Sequence, residues 1–143
     1  MIGELFGGLL VAFGLYSALP LPQIEWKRST MRYALGFLPL IGVLVGACEY
    51  GWLLLAGKLA LSSLLYAAGA VLIPVVITGG IHLDGLCDTC DALCSFGDRE
   101  KRLAILKDPH VGAFGPLWLM AFLLAEVGCF AQIYDRPVLL PMA

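Results

Sequence analysis

Three aspartates lie close together in the segment 79–115, which reads GGIHLDGLCDTCDALCSFGDREKRLAILKDPHVGAFG. Asp84, Asp88 and Asp91 are spaced i, i+4 and i+7, and on a helix this spacing places them on one face. Three stacked negative charges destabilise a bare helix, so a nearby cation or a divalent metal ion has to compensate them. Mg²⁺ and Mn²⁺ prefer oxygen ligands and bind through one or two carboxylates together with substrate phosphates. The spacing therefore predicts a Mg²⁺ site at these three aspartates, which Mn²⁺ could also occupy.

The three aspartates and the nearby His82 are expected to play different parts in a reaction. Asp84 opens the helix, where the helix dipole favours a carboxylate, and is predicted to be a metal ligand. Asp88 lies one turn farther on and is predicted to ligate or bridge the ion. Asp91 is farthest along the face and is the preferred candidate for a general base, with His82 next in line. A helix N-terminus explains a carboxylate at Asp84 but not one two turns later.

A basic stretch follows the aspartates and could hold phosphate oxygens. Arginine binds phosphate as a planar fork and lysine as a point charge. The predicted phosphate-binding residues are Arg99, Arg102 and Lys107, together with the adjoining Asp108. Arg102 and Lys107 are expected to face the aspartates. If they do not hold the phosphates, the basic loop at 27–32 is the alternative.

The cysteines of the same segment offer a different reading. His82, Cys87, Cys90 and Cys94 form the pattern H-x4-C-x2-C-x3-C, and Cys-x2-Cys is a usual spacing in zinc and iron–sulfur sites. On a helix, however, these cysteines also share one face, as small packing residues do. We favour packing and keep a thiolate metal site as the alternative.

The composition indicates a membrane protein. Of the 143 residues, 60% are hydrophobic and only 14% are charged, whereas a soluble domain is nearer half apolar and a quarter charged. Four apolar stretches are long enough to cross a bilayer, which takes roughly 20 mostly apolar residues. They cover residues 2–22, 34–56, 59–79 and 112–134. We predict an all-α, polytopic helical bundle of about four transmembrane helices, in which the first stretch either spans the bilayer or lies in its interface.

The basic residues predict the orientation of this bundle. Three of the nine Lys and Arg residues fall in the loop 23–33 and four in the loop 80–111, which makes seven, whereas only Lys58 and Arg136 lie on the opposite side. Loops rich in Lys and Arg stay in the cytoplasm. We therefore predict a multi-pass protein of the inner (cytoplasmic) membrane, with both loops cytoplasmic and both termini outside.

The chain is expected to form a single membrane domain, residues 1–143. Gly79 and Gly80 let the backbone leave the third apolar stretch, so that segment 80–111 forms helical turns at the cytoplasmic surface and carries the site. The expected surroundings are the lipid bilayer, and a net charge of −2 argues against a nucleic-acid partner. A homo-oligomer is compatible with the sequence.

Several stretches in order resemble one known family. GGIHLDGLCDTCDAL followed by DREKRLAILKDPHVGAFGPL closely resembles the signature of the cobalamin synthases, the adenosylcobinamide-GDP ribazoletransferases. LYSALPLP and ALGFLPLIGVLVGA are similar to that family's N-terminal region, so the resemblance covers residues 13 to 120. Cys87, Cys90 and Cys94 stand where the family tends to have Ala or Gly, which favours packing. Because the chain stops at RPVLLPMA, we expect a truncated member of the family.

The resemblance implies a reaction at a diphosphate. The family transfers the cobinamide-phosphate moiety of adenosylcobinamide-GDP to α-ribazole or its 5′-phosphate and releases GMP, with Mg²⁺, in the final steps of cobalamin biosynthesis. Two alternatives stay open. One is a lipid enzyme like the CDP-alcohol phosphotransferases, whose aspartate motif is loosely similar. The other is an inactive, truncated membrane protein.

Overall fold

The computed structural model of the protein describes residues 2–21 and 28–136. Within these ranges the regular structure is helical and no strand occurs, which confirms the all-α prediction. The elements in chain order are α1 (Ile2–Tyr16), α2 (Arg28–Ala34), a 3-10 turn (Leu35–Phe37), α3 (Leu38–Lys58), α4 (Ser63–Thr78), α5 (Ile81–Cys94), α6 (Arg99–Ile105) and α7 (Phe114–Asp135). Part of the predicted basic loop, including Lys27, lies outside the described residues.

The described helices include candidates for membrane spans. The continuous stretch Thr30–Lys58 and α7 are each long and apolar enough to cross a bilayer. Helices α4 and α5 qualify only as a pair, and the pair is bent by 95° at its break. The apolar helix at Gly3–Tyr16 is shorter. Each predicted apolar stretch thus contains a helix, and two or three spans fit the described residues, while a count of four stays a prediction.

The break between α4 and α5 depends on two glycines with left-handed backbone. Gly79 has φ +66° and Gly80 has φ +77°, a region that favours glycine because it has no Cβ. The Gly80 N–H donates to the Val75 carbonyl at 3.0 Å and closes the end of α4. Close by, the Ala18 N–H donates to the Ile77 carbonyl at 2.8 Å. The helix therefore ends at Thr78, directly before the two glycines at which the sequence predicts that the backbone leaves the apolar stretch.

Replacing either glycine by alanine is expected to destabilise the fold. A left-handed backbone costs an L-residue about 1–2 kcal/mol, so Gly80→Ala should lower the free energy of unfolding by about 1 kcal/mol. Gly79→Ala should lower it further, because a Cβ at Gly79 would lie 3.1 Å from the Ala18 Cβ, whereas one at Gly80 meets nothing within 4 Å. Unfolding of both variants in detergent micelles checks this order, and equal losses would contradict the role of the Ala18 contact.

The described residues within Met1–Leu61 and Leu72–Ile81 form one compact unit, and those within Ser62–Val71 and His82–Ala143 form a second. In the first unit, Val11, Ala12 and Ala34 form a buried core, against which Leu15 and Phe37 pack. The single domain predicted for residues 1–143 stays a prediction.

Aromatic side chains join α4 and α7 within the second unit. Tyr66 of α4 stacks on Tyr134 of α7, with ring centroids 4.4 Å apart and planes 19° apart. Tyr66 also meets Phe130 edge-on at 6.5 Å. The acidic and basic segment from His82 onward belongs to this same unit.

Candidate active site

The first two aspartates lie on the accessible side of α5. Asp84 in its first turn is exposed, and Asp88 one turn later is half-buried. Among the described residues, neither carboxylate makes a hydrogen bond or an ion pair. His82 is exposed, but at 100° per residue it lies about 200° around the helix from Asp84. The structure thus leaves two carboxylates available on one face and places His82 on another.

Asp91 is in a different environment from the other two aspartates. Its side chain is buried, with 7% of the residue exposed. One carboxylate oxygen accepts hydrogen bonds from the N–H groups of Phe114 at 2.9 Å and Gly115 at 3.0 Å. The other oxygen accepts from the N–H of Gly112 at 2.8 Å. Hydrogen bonds to a charged group are worth about 1.5–3 kcal/mol each, so Asp91 contributes directly to the packing of α5 against α7.

The bonds to Asp91 satisfy the N-terminus of α7. The first N–H groups of a helix have no partner within it. The residue before α7, Ala113, offers no side-chain cap, and two of the first three helical residues instead donate to Asp91. The third, Pro116, has no N–H. Within α5, Asp91 is too far from the N-terminus for the helix dipole to explain its charge, and the structure provides the N-terminus of α7 instead.

Two glycines allow α5 and α7 to approach so closely. A Cβ at Gly115 would lie 2.7 Å from the Asp91 carboxylate and 2.9 Å from the Cys87 carbonyl oxygen. A Cβ at Gly112 would collide with the same carboxylate. The Gly-x-x-Gly spacing of the sequence is therefore the steric counterpart of Asp91.

The positions of the three aspartates determine which of them could hold the predicted Mg²⁺. Within residues 2–21 and 28–136, no group of three His, Cys, Asp or Glu side chains is placed to share one metal ion. The Asp91 oxygens face amide groups, which leaves Asp84 and Asp88 as a pair. Two accessible carboxylates one turn apart fit Mg²⁺, which needs only one or two protein carboxylates and completes its shell with water and phosphate. The three-aspartate site stays a prediction, and the pair is the part of it that this geometry favours.

The basic residues belong to α6 and the turn after it. Asp98 caps α6 by accepting the Lys101 N–H at 2.9 Å. The predicted phosphate-binding cations Arg99, Arg102 and Lys107 are all exposed. In the described part of the chain none of them pairs with Asp84 or Asp88.

An open groove of ≈ 700 Å³ contains one of these cations. Its wall includes the side chains of Arg102, Cys94, Phe96, Phe114 and Trp118. Arg102 therefore lies near aromatic residues. That Arg102 faces the aspartates stays a prediction.

A second, open pocket of ≈ 320 Å³ brings Asp91 together with Asp108 and His110. The His110 ring Nδ1 lies 2.6 Å from a carboxylate oxygen of Asp108, and the His110 N–H donates to the same oxygen at 3.0 Å. The side-chain and backbone hydrogen bonds from His110 hold the pKa of the Asp108 carboxyl below its usual range.

His110 is not among the site residues predicted from the sequence, because those predictions rest on metal-ligand spacings and on basic residues. The signal that could have indicated it is the Asp-x-His spacing at 108–110. A carboxylate that is hydrogen-bonded to one ring nitrogen fixes the orientation of the imidazole and leaves the other ring nitrogen available to a ligand.

Two cysteines of α5, Cys87 and Cys94, contact α7. Cys87 is buried, and its backbone oxygen and Cβ lie where a Cβ on Gly115 would collide. The sulfur of Cys94 accepts a hydrogen bond from Trp118 Nε1 at 3.2 Å. These contacts favour the packing interpretation over the thiolate metal site.

Comparison with known proteins bears on the whole chain. The family model described as cobalamin-5-phosphate synthase matches residues 8–143. The chain belongs to this family. The match contains the acidic helix α5, the basic helix α6 and the Gly-x-x-Gly segment that contacts Asp91.

Curated relatives of the family are named adenosylcobinamide-GDP ribazoletransferase. The protein of Lachnoclostridium phytofermentans is 48% identical over 106 residues, which cover 74% of this chain and 41% of the relative. That of Clostridium botulinum (strain Eklund 17B / Type B) is 33% identical over 140 residues, covering 96% of this chain and 56% of the relative. The chain thus spans about half the length of the curated relatives it matches. No solved structure matches it.

Proposed function

We propose that this chain carries the Mg²⁺-dependent transfer of the cobinamide-phosphate moiety from adenosylcobinamide-GDP to α-ribazole or its 5′-phosphate. Membership of the family and the name of the curated relatives support this reaction. The structural observation that carries it is the pair Asp84 and Asp88, which are accessible, one turn apart and without a protein partner among the described residues. Carboxylates left in this state near the start of a helix suit an ion that arrives with a diphosphate substrate.

The reaction requires one bond to form and one to break at phosphorus. A ribose hydroxyl oxygen of the acceptor forms a bond to the β-phosphorus of the donor, the bond from that phosphorus to the GMP oxygen breaks, and the hydroxyl proton is removed. A bound Mg²⁺ supplies neutralisation of the phosphate charge. Asp84 and Asp88 are the residues that would hold it.

The remaining chemistry falls to side chains around this pair. We assign the hydroxyl proton to Asp88, because the Asp91 oxygens are engaged with amides and His82 lies elsewhere on the helix. A positioned carboxylate is a usual proton acceptor in such steps. Arg99, Arg102 and Lys107 are proposed to bind the donor phosphates as cations. Asp108, held by His110, is proposed to border that phosphate site.

The acceptor specificity tests the proposed function. The purified chain in lipid nanodiscs is given adenosylcobinamide-GDP and Mg²⁺ with α-ribazole, with a diacylglycerol, or with no acceptor, and GMP is measured. Release that requires α-ribazole is the expected result. A parallel reaction with a CDP-linked donor and the diacylglycerol is assayed for CMP, and CMP release there would indicate the CDP-alcohol phosphotransferase alternative. Release of neither nucleotide with any acceptor would indicate an inactive unit.

The apolar helices indicate a membrane-associated protein, and we propose the bacterial inner membrane with segment 80–111 in the cytoplasm. A single cysteine placed by Glu100→Cys or by Lys58→Cys, in a chain whose natural cysteines are alanine, tests the orientation. Both positions are exposed. A membrane-impermeant maleimide should label position 58 in intact cells and position 100 only after the membrane is opened, and the reverse pattern would overturn this topology.

A further inference from the structure

The geometry points to Asp91 as a positioning residue that fixes the Asp108–Gly112 segment beside α5 and acts on the substrate only through that segment. This inference rests on the proposed function, in which that segment borders the donor phosphates. It differs from the roles of metal ligand and general base that the spacing of the aspartates suggested. Three observations carry it.

The first observation is the occupancy of the carboxylate. Three N–H groups at 2.8–3.0 Å converge on its two oxygens, and the residue is buried. A metal ligand or a proton acceptor needs a lone pair directed at the ion or the substrate. To provide one, Asp91 would have to release amide groups of Gly112, Phe114 or Gly115, and these have no side-chain cap from Ala113 to replace it.

The second observation is the steric match between the two helices. Gly115 and Gly112 leave no space for a Cβ beside the Asp91 carboxylate. Glycine therefore occupies both positions at which a side chain would prevent the contact between the Asp91 carboxylate and the start of α7.

The third observation is that the segment Asp108–Gly112, which Asp91 holds through Gly112, contains the pocket residues Asp108 and His110. Asp91 and Gly112 line the same open pocket as Asp108 and His110. Because Gly112 lies two residues after His110, its hydrogen bond to Asp91 fixes the backbone that presents the imidazole and its carboxylate partner. Loss of the hydrogen bonds to Asp91 should therefore make the side chains of Asp108 and His110 more mobile without altering Asp84 or Asp88.

The test compares Asp91→Asn with Gly115→Ala, and uses Gly128→Ala as the matched control. Asparagine places an N–H₂ group where at least one of the three N–H groups now donates, so it cannot accept all three bonds. A Cβ at Gly115 pushes the same contact apart, whereas one at Gly128, in the same helix, meets nothing within 4 Å. If Asp91→Asn does not fold, Gly112→Ala takes its place.

Hydrogen exchange and kinetics are measured on the full chain in nanodiscs. Asp91→Asn and Gly115→Ala should both speed exchange of the amides at 112–115 by about tenfold. Both should raise KM for the donor and lower kcat to a similar degree, while the Mg²⁺ midpoint and the shape of the pH–rate profile stay as in the wild type. Gly128→Ala should behave as the wild type throughout.

Two kinetic results would overturn the inference. A higher Mg²⁺ midpoint in Asp91→Asn but not in Gly115→Ala would make Asp91 a ligand. Loss of one limb of the pH–rate profile in Asp91→Asn alone, with exchange unchanged, would make it the base. Unchanged exchange in Asp91→Asn overturns the inference even if no variant releases GMP. If no variant releases GMP but exchange is faster in Asp91→Asn, the proposed function is rejected and the positioning role of Asp91 is retained.

Discussion

Replacing Asp84 by asparagine is expected to lower Mg²⁺-dependent GMP release on the order of a hundredfold, the effect of losing a few kcal/mol of charge stabilisation in the transition state. Asp84 is exposed in the first turn of α5 and has no partner among the described residues, so its carboxylate is available to an ion. Asparagine keeps the size and shape of the side chain and removes its charge. The Mg²⁺ concentration for half-maximal rate should therefore rise together with the loss in rate.

Asp88→Asn and Glu100→Gln complete this comparison. Asp88 is one turn after Asp84, so its replacement should produce the same rise in the Mg²⁺ midpoint and also remove the proposed proton acceptor. Glu100 is an exposed carboxylate on α6 and is assigned no role, so Glu100→Gln should leave rate and midpoint within about twofold of the wild type. If Asp84→Asn matched Glu100→Gln, the aspartate pair would not be the ion site.

Replacing Lys107 or Arg102 by methionine is expected to weaken binding of adenosylcobinamide-GDP by about tenfold each, because a charge-assisted hydrogen bond to phosphate is worth about 1.5–3 kcal/mol. Both side chains are exposed, and Arg102 lines the groove with Phe96 and Trp118. Methionine keeps most of the apolar stem and removes the cation. Binding of α-ribazole, which has no diphosphate, should not change.

Lys101→Met provides the control for charge alone. Lys101 is exposed on the same helix, but its ammonium group donates to the Phe96 carbonyl oxygen at 3.1 Å. Its replacement removes the same charge and should leave the dissociation constant of the donor within about twofold. Equal weakening by Lys101→Met and Lys107→Met would indicate a diffuse electrostatic effect. Weakening by changes in the 27–32 loop alone would move the phosphate site there.

Local pattern was sufficient to predict much of this molecule. The glycines at 79 and 80 marked the end of α4, and the 3.6-residue period placed Asp84 and Asp88 on one face of α5, where Asp84 is exposed and Asp88 is half-buried. Both features depend on neighbours within two turns of the chain. The lengths of the apolar helices were less predictable, because α1 ends at Tyr16 and α4 has only 16 residues, while hydropathy alone does not fix where the backbone turns.

Asp91 shows what the sequence could not supply. Its partners lie 21 to 24 residues farther along the chain, and no periodicity connects them to it. The glycines at 112 and 115 were visible as a motif, but the reason for them appears only when α5 and α7 are packed together. His110 was missed for a similar reason, since its importance comes from the shared pocket with Asp91 and Asp108.

The central claim is that Asp84 and Asp88 hold a divalent ion against the donor diphosphate. Electron paramagnetic resonance of Mn²⁺ measures this directly, with aspartate carboxyl groups labelled with carbon-13 in the nanodisc-bound chain and adenosylcobinamide-GDP present. The predicted spectrum contains couplings of the same ion to phosphorus-31 and to aspartate carbon-13, with the carbon coupling reduced in Asp84→Asn and absent when Asp88 is also asparagine. A phosphorus coupling without any carbon coupling, or a carbon coupling that survives both replacements, would contradict the claim.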